Sequence, residues 1–150
     1  MKTLPDYFEQ LAKGESYQDK VARRIKQEFD YDIHFYKSKR DQYEIGESAE
    51  GIEIKYDSWI SRSGRMSIEV AEKTRADLPE FTPSGIFRQD NTRYYLQGDD
   101  NFVWCFAKTV LQEYYRINKP KTIDNNPPTI RKFYISIAQA DALAWRKVKL

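Results

Sequence analysis

Between Gly51 and Lys73 the chain reads GIEIKYDSWISRSGRMSIEVAEK, two runs in which acids and lysines alternate with apolar residues. In the first run Ile52, Ile54 and Tyr56 face one side of a strand, while Glu53, Lys55 and Asp57 face the other, the period of a half-buried strand. In the second, Ile68 and Val70 oppose Glu69, Ala71 and Lys73. The intervening SWISRSGR carries Ser58, Ser61, Ser63 and Gly64, which favour a turn. The expectation is a hairpin that pairs the two strands antiparallel and brings both polar faces to one side of a sheet. Carboxylates gathered with lysines in that way suit a divalent cation, magnesium or manganese. Magnesium takes one or two carboxylates together with waters and phosphate oxygens. A cation so held lowers the pKa of a bound water and neutralises charge that develops on a phosphate under attack. A lysine beside it orients or deprotonates the nucleophile. The competing reading is a ladder of cross-strand ion pairs on an exposed sheet, each worth only about 0.2–1 kcal/mol.

Composition narrows the alternatives. At 150 residues the chain is most simply one domain, 1–150, with a core of its own. Twenty-five Lys and Arg stand against 23 Asp and Glu, so a net charge of +2 predicts neither a strongly basic binder nor an acidic tail. Cys105 is the single cysteine, inside the apolar run FVWCF, and reads as a small buried side chain rather than a catalytic thiol. His34 is the single histidine, which removes most support for zinc sites and histidine-dependent triads. The first residues lack the continuous apolar region of a signal peptide, and no run approaches the roughly 20 apolar residues that span a bilayer. The expectation is a cytoplasmic protein with no membrane partner.

The elements that must position the acids and lysines follow from periodicity. A short helix is expected over Pro5–Lys13, ended by Gly14, and a second from Ser16, where Tyr17, Val21, Ile25 and Phe29 recur every four residues. Asp32–Lys37 alternates as a strand, and residues 38–50 read as a charged connection. After the central pair, Pro79, Pro83 and Gly85 mark an irregular loop. Three strands follow over Gly85–Arg88, Arg93–Gln97 and Phe102–Phe106, then a helix over Ala107–Ile117, a loop to Pro128, a strand over Thr129–Ile137 and a closing helix over Gln139–Trp145. The order predicts an α+β, or α/β sandwich, fold: one central mixed sheet with an antiparallel meander flanked by helices.

Together, the acidic and lysine runs and this order of elements resemble the PD-(D/E)xK nuclease superfamily, in its small resolvase-like and restriction-endonuclease-like forms. The chain is also similar to phage or prophage proteins with a GESxxGIEIKxD and then an IEVAEK pattern. The resemblance covers about residues 14–117 and implies a magnesium- or manganese-dependent phosphodiesterase acting on DNA, with RNA as the second candidate substrate. Carried over, Asp57 matches the family's metal-binding aspartate and Glu69 its second acid, with the backbone carbonyl of Val70 as a further ligand. The family's lysine falls on Ala71 here. Lys73, two residues on, and Lys55, on the neighbouring strand, are the substitutes. A rival register takes Glu53 and Lys55 as the acid–lysine pair, with Glu44 or Glu47 as the preceding acid. An acid on the first helix is also common in the family, and Asp19, beside Glu15 and Gln18, is the nearest.

Arg62 and Arg65, in the connection, are the candidates for phosphate contacts that orient nucleic acid without reading its sequence. Resolvase-like members imply a homodimer. Ala71 favours a second class of function, a catalytically inactive scaffold that binds nucleic acid or a protein. The basic tail, Arg146, Lys147 and Lys149, reads as a solubilising end.

Overall fold

Helix α1 spans Leu4–Phe29 in a computed structural model that describes the backbone from residue 4 and the side chains from residue 17. Its spacing explains its place: Tyr17, Val21 and Ile25 lie one turn apart and are all buried. The helix runs unbroken through Gly14 and Ser16, where two helices were expected. One interior glycine costs about 1 kcal/mol, too little to end a helix anchored further along by a packed stripe. The side chains of Tyr7, Phe8, Leu11, Ala12 and Glu15 lie outside the described residues.

The remaining elements are α2 (Lys39–Glu44), β1 (Ile52–Tyr56), α3 (Ile60–Ser63), β2 (Arg65–Glu72), β3 (Thr82–Pro83), a 3-10 turn at Gly85–Phe87, β4 (Tyr94–Gly98) and β5 (Phe102–Ala107). They continue with α4 (Lys108–Asn118), β6 (Ile123–Asp124), β7 (Ile130–Ser136), α5 (Ile137–Leu143) and β8 (Arg146–Lys149). The fold is α+β, and its strands form two sheets rather than one. The first is mixed, in the order β1-β4-β5-β8; the second is antiparallel, in the order β3-β2-β7-β6.

The expected hairpin of β1 with β2 is therefore not formed. β1 pairs parallel with β4, Ile52 opposite Tyr94 through Tyr56 opposite Gly98, and β2 pairs with β7. The connection explains the separation. Residues 60–63 wind into a helical turn that buries Ile60 and closes on Gly64 in the left-handed region, φ 69°, so the chain leaves the first sheet instead of folding back on it.

Two apolar layers hold the sheets. α1 covers one face of the first sheet, packing Tyr17, Val21 and Ile25 against Ile52, Leu96, Val103, Cys105 and Val148. The other face sends Tyr95, Trp104 and Phe106 toward Met66, Ile68, Val70, Phe133 and Ile135 of the second sheet, with Leu111 of α4 completing the cluster. Other expectations shift for local reasons. Asp32–Lys37 forms only an isolated bridge, Phe35 to Ser48. Within the charged connection, Ser38 caps α2 by accepting the Asp41 amide. Gly85–Phe87 is a 3-10 turn, not a strand, and the basic tail becomes edge strand β8 because Val148 faces the core.

Candidate functional site

Although β1 and β2 belong to different sheets, their polar residues meet in one cleft of about 450 Å³. Lys55 and Asp57 enter it from β1 and its end, Arg65, Ser67 and Glu69 from β2, and Gln97 from β4. Lys132 and Tyr134 of β7, together with Tyr56, Trp59 and Ser63, complete the wall. The alternation explains the arrangement. In register, Glu53 and Lys55 stand beside Tyr95 and Gln97, on the face of the first sheet that looks toward the second. Ile54 and Tyr56 face the α1 side. In β2 and β7, Ser67 stands opposite Tyr134 and Glu69 opposite Lys132, while Ile68 and Phe133 point into the core.

Asp57 ties the two sheets together. One carboxylate oxygen accepts the Trp59 amide at 3.1 Å and the other the Ser67 amide at 3.4 Å. The Gln97 side-chain amide donates to the Ser67 carbonyl at 2.7 Å. Both main-chain groups of Ser67 are thus satisfied across the gap by side chains of the other sheet. The Glu69 carboxylate, in contrast, makes no hydrogen bond or ion pair among the described residues. Its backbone is fixed from behind by Gly85, where φ is +54° and a Cβ would stand 2.1 Å from the Glu69 carbonyl oxygen. The Gly85 carbonyl in turn accepts the hydroxyl of Tyr95, whose pKa burial pushes far above the ordinary phenol range.

A bulge between Glu69 and Ala71 redirects the end of the second run. A bulge adds a residue to one strand and breaks the alternation of faces. Ala71 accordingly packs against the core cluster instead of joining Glu69, and Lys73 does not line the cleft. The Lys73 ammonium donates to the Leu78 carbonyl at 2.8 Å and sits 4.5 Å from the centre of the Phe81 ring. Lys55, the other substitute, is in the cleft. Val70 is buried and its carbonyl accepts the Ser84 amide. Glu53 lies outside the cleft lining and pairs with Lys55 at 3.5 Å. The acids of the rival register stand apart: Glu44 pairs with Arg40 on the surface, and Glu47 approaches Arg88 at 3.9 Å. Burial and the negative charge of Glu53 raise the Glu47 carboxyl above its usual range. Asp19 is exposed and outside the lining. Among the described residues no three His, Cys, Asp or Glu side chains gather in a group that could hold a metal.

No protein-family model, curated protein or solved structure matches the chain. Its site is therefore read from its own geometry. Arg65 lies in the cleft with its guanidinium carbon 3.8 Å from the centre of the Tyr134 ring, and Arg62 stands 5.3 Å from that of Trp59. Three cations, two carboxylates, the exposed Trp59 and the half-buried Tyr134 share one concavity, an arrangement suited to a phosphate-bearing ligand with a planar group. Sequence reasoning did not single out Gln97, Lys132, Tyr134 or Trp59. The signal for Lys132 and Tyr134 was present in IRKFYIS, where they alternate with Phe133 and Ile135. Elsewhere, His34 is exposed and paired with Glu50, and Cys105 is buried. No helix among the described residues is long and apolar enough to cross a membrane.

Proposed function

We propose that the cleft binds nucleic acid, DNA in the first place and RNA in the second, through its phosphates. The observation that carries the reading is the meeting of Lys55, Arg65 and Lys132 with Trp59 and Tyr134 in one cavity. Cations supply sequence-independent contacts to the phosphate backbone. Aromatic faces and arginine planes supply stacking for bases. Fluorescence anisotropy with labelled DNA across a salt series tests it. Binding should fall with salt, and Lys55→Ala and Lys132→Ala should each lower the magnitude of the log–log slope by about 1. A salt-independent affinity, or slopes unchanged in both variants, would sink the proposal.

The unpaired Glu69 carboxylate beside Lys55 favours a second reading, phosphodiester hydrolysis of the kind the PD-(D/E)xK likeness implies. Asp57 and Glu69 are hard oxygen donors of the kind magnesium or manganese accepts, and two carboxylates meet the lower end of magnesium's demand. The amide contacts of Asp57 leave one lone-pair direction on each oxygen. A divalent ion held there would neutralise phosphate charge and lower the pKa of a bound water. Lys55 would hold the phosphate and a water in line, and Lys132 opposite Glu69 would neutralise the departing oxyanion. The test is cleavage of labelled DNA and RNA with magnesium or manganese, wild type against Glu69→Ala. Cleavage lost in the variant supports hydrolysis, and no cleavage from either protein leaves the cleft a binding site without chemistry.

A further inference from the structure

We infer that the cleft accepts a single unstacked nucleotide of a single-stranded segment, clamped between Trp59 and the Arg65–Tyr134 pair; the inference rests on the nucleic-acid reading above. Trp59 is 63 % exposed at the edge of the cavity, on the short connection between β1 and β2. The Arg62 guanidinium lies 5.3 Å from the centre of this largely exposed indole, whose ring surface is otherwise open enough to water to meet a base at the edge of the concavity. On the β7 side the Arg65 guanidinium covers the Tyr134 ring at 3.8 Å, which leaves its outer plane as a second stacking surface. Lys55 and Lys132 line the same cavity, and a phosphate would sit against them.

Shape decides between a strand and a duplex. In a duplex the base faces are covered by their neighbours, and only edges and backbone can be touched. A duplex reader therefore presents a convex helix or ribbon to a groove. Here the aromatic groups line a cavity of about 450 Å³, within the size range of single small-molecule sites and far too small for a double helix. A base can use the Trp59 face only after leaving its stack, at a cost that is least in single strands. Sequence preference is expected to be slight, because every base offers a π-face.

The test compares a labelled single-stranded 15-mer, a hairpin duplex with the same stem sequence and an abasic 15-mer, for wild type, Trp59→Ala and Lys55→Ala. Wild type should bind the single strand at least about tenfold more tightly than the duplex. Trp59→Ala should lose about tenfold on the single strand, the loss of one stacked base, and nothing on the abasic strand. An unchanged thermal midpoint for Trp59→Ala would show that the loss is not one of folding. Equal affinity for strand and duplex, or a Trp59→Ala loss as large on the abasic strand, overturns this inference alone, provided Lys55→Ala still weakens binding. Thymidine monophosphate competing as effectively as the 15-mer overturns the strand and leaves a free nucleotide as ligand. No binding of any probe by wild type overturns this inference and the nucleic-acid reading together.

Discussion

Replacing Asp57 separates what the cleft owes to folding from what it owes to a ligand. The carboxylate accepts the amides of Trp59 and Ser67, and it is half-buried. Hydrogen bonds to a charged group contribute about 1.5–3 kcal/mol each when shielded, and water can replace part of that at this depth. About 1 kcal/mol per bond, or about 2 kcal/mol in all, is the expected loss in Asp57→Ala. For a chain of this size that is a fall of about 4–8 °C in the thermal midpoint. Asp57→Asn keeps one acceptor oxygen and should lose about half as much. Its effect on ligand has the opposite sign, because removing a negative charge from a phosphate-binding cleft should strengthen DNA binding. If hydrolysis also occurs there, Asp57→Asn should abolish cleavage while binding improves. Calorimetry and anisotropy on the same samples make the comparison. An Asp57→Ala midpoint within about 1 °C of wild type would refute the bridging role, and weakened binding by Asp57→Asn would refute the electrostatic account.

Further expectations follow from single contacts. Gly85→Ala should destabilise the fold by about 2 kcal/mol or more in urea unfolding, since φ is +54° and the new Cβ meets the Glu69 carbonyl at 2.1 Å; an unchanged urea midpoint would show that β2 yields there. Lys108 is buried and pairs at 3.2 Å with Asp90, whose side chain is 1 % exposed, so Lys108→Ala should cost about 3 kcal/mol by stranding that carboxylate; a loss under about 1 kcal/mol would mean Arg88 alone suffices. Burial pushes the Cys105 thiol up to about 12, so an aromatic disulfide reagent at pH 8 should label it only as fast as the protein opens, and prompt labelling of folded protein would contradict that. Hydrogen bonding and charge from Glu50 raise the His34 pKa. The pair's contribution is fully present below the unfolded histidine pKa and fades as pH rises through the higher folded value. Proton NMR titration should show His34 titrating late in wild type and lower in Glu50→Gln, and identical curves would remove the pair.

The faces of the strands were legible in the sequence; their partners were not. Alternation in GIEIKYD and in SIEV placed Ile52, Ile54, Ile68 and Val70 on core faces and Lys55, Asp57 and Glu69 on polar ones. That is local information, fixed by the two-residue period of a strand. Pairing is decided elsewhere. β1 finds β4 some 40 residues on in the chain, a contact that no local pattern encodes, and the turn at residues 60–63 looks like a loop until Ile60 is seen to be buried. The bulge at Val70 leaves only a faint trace in SIEVAEK, where Ala71 and Glu72 reverse the alternation. At the bulge Ala71 packs against the core cluster, and Lys73, past the end of the strand, lies outside the cleft lining. Ala71 stands where the resemblance implies a lysine, and in this backbone its methyl, half-buried, packs against the core cluster.

The cleft itself follows from an unfinished edge. β3 covers β2 only at Ala71 and Glu72, so the rest of that edge, on the side away from β7, has no neighbouring strand among the described residues. A buried main-chain group without a partner is costly, and an open edge invites the wrong strand. Asp57 and Gln97 meet the need at Ser67 with side chains. They bridge the two sheets at this point, and Asp57, Ser67 and Gln97 all line the cavity. The division of labour is then testable residue by residue. Asp57 and Gln97 carry the bridge, so Gln97→Ala should lower stability by about 1 kcal/mol. Lys55, Glu69 and Lys132 contribute nothing to the bridge. Lys55→Ala, Glu69→Gln and Lys132→Ala should therefore change ligand binding while leaving the thermal midpoint within about 2 °C of wild type. If the Lys132 and Glu69 variants instead lose stability as large as Asp57→Ala does, their pairing across the strands is structural, and the case for a ligand in this cleft falls to Lys55 and the aromatic walls alone.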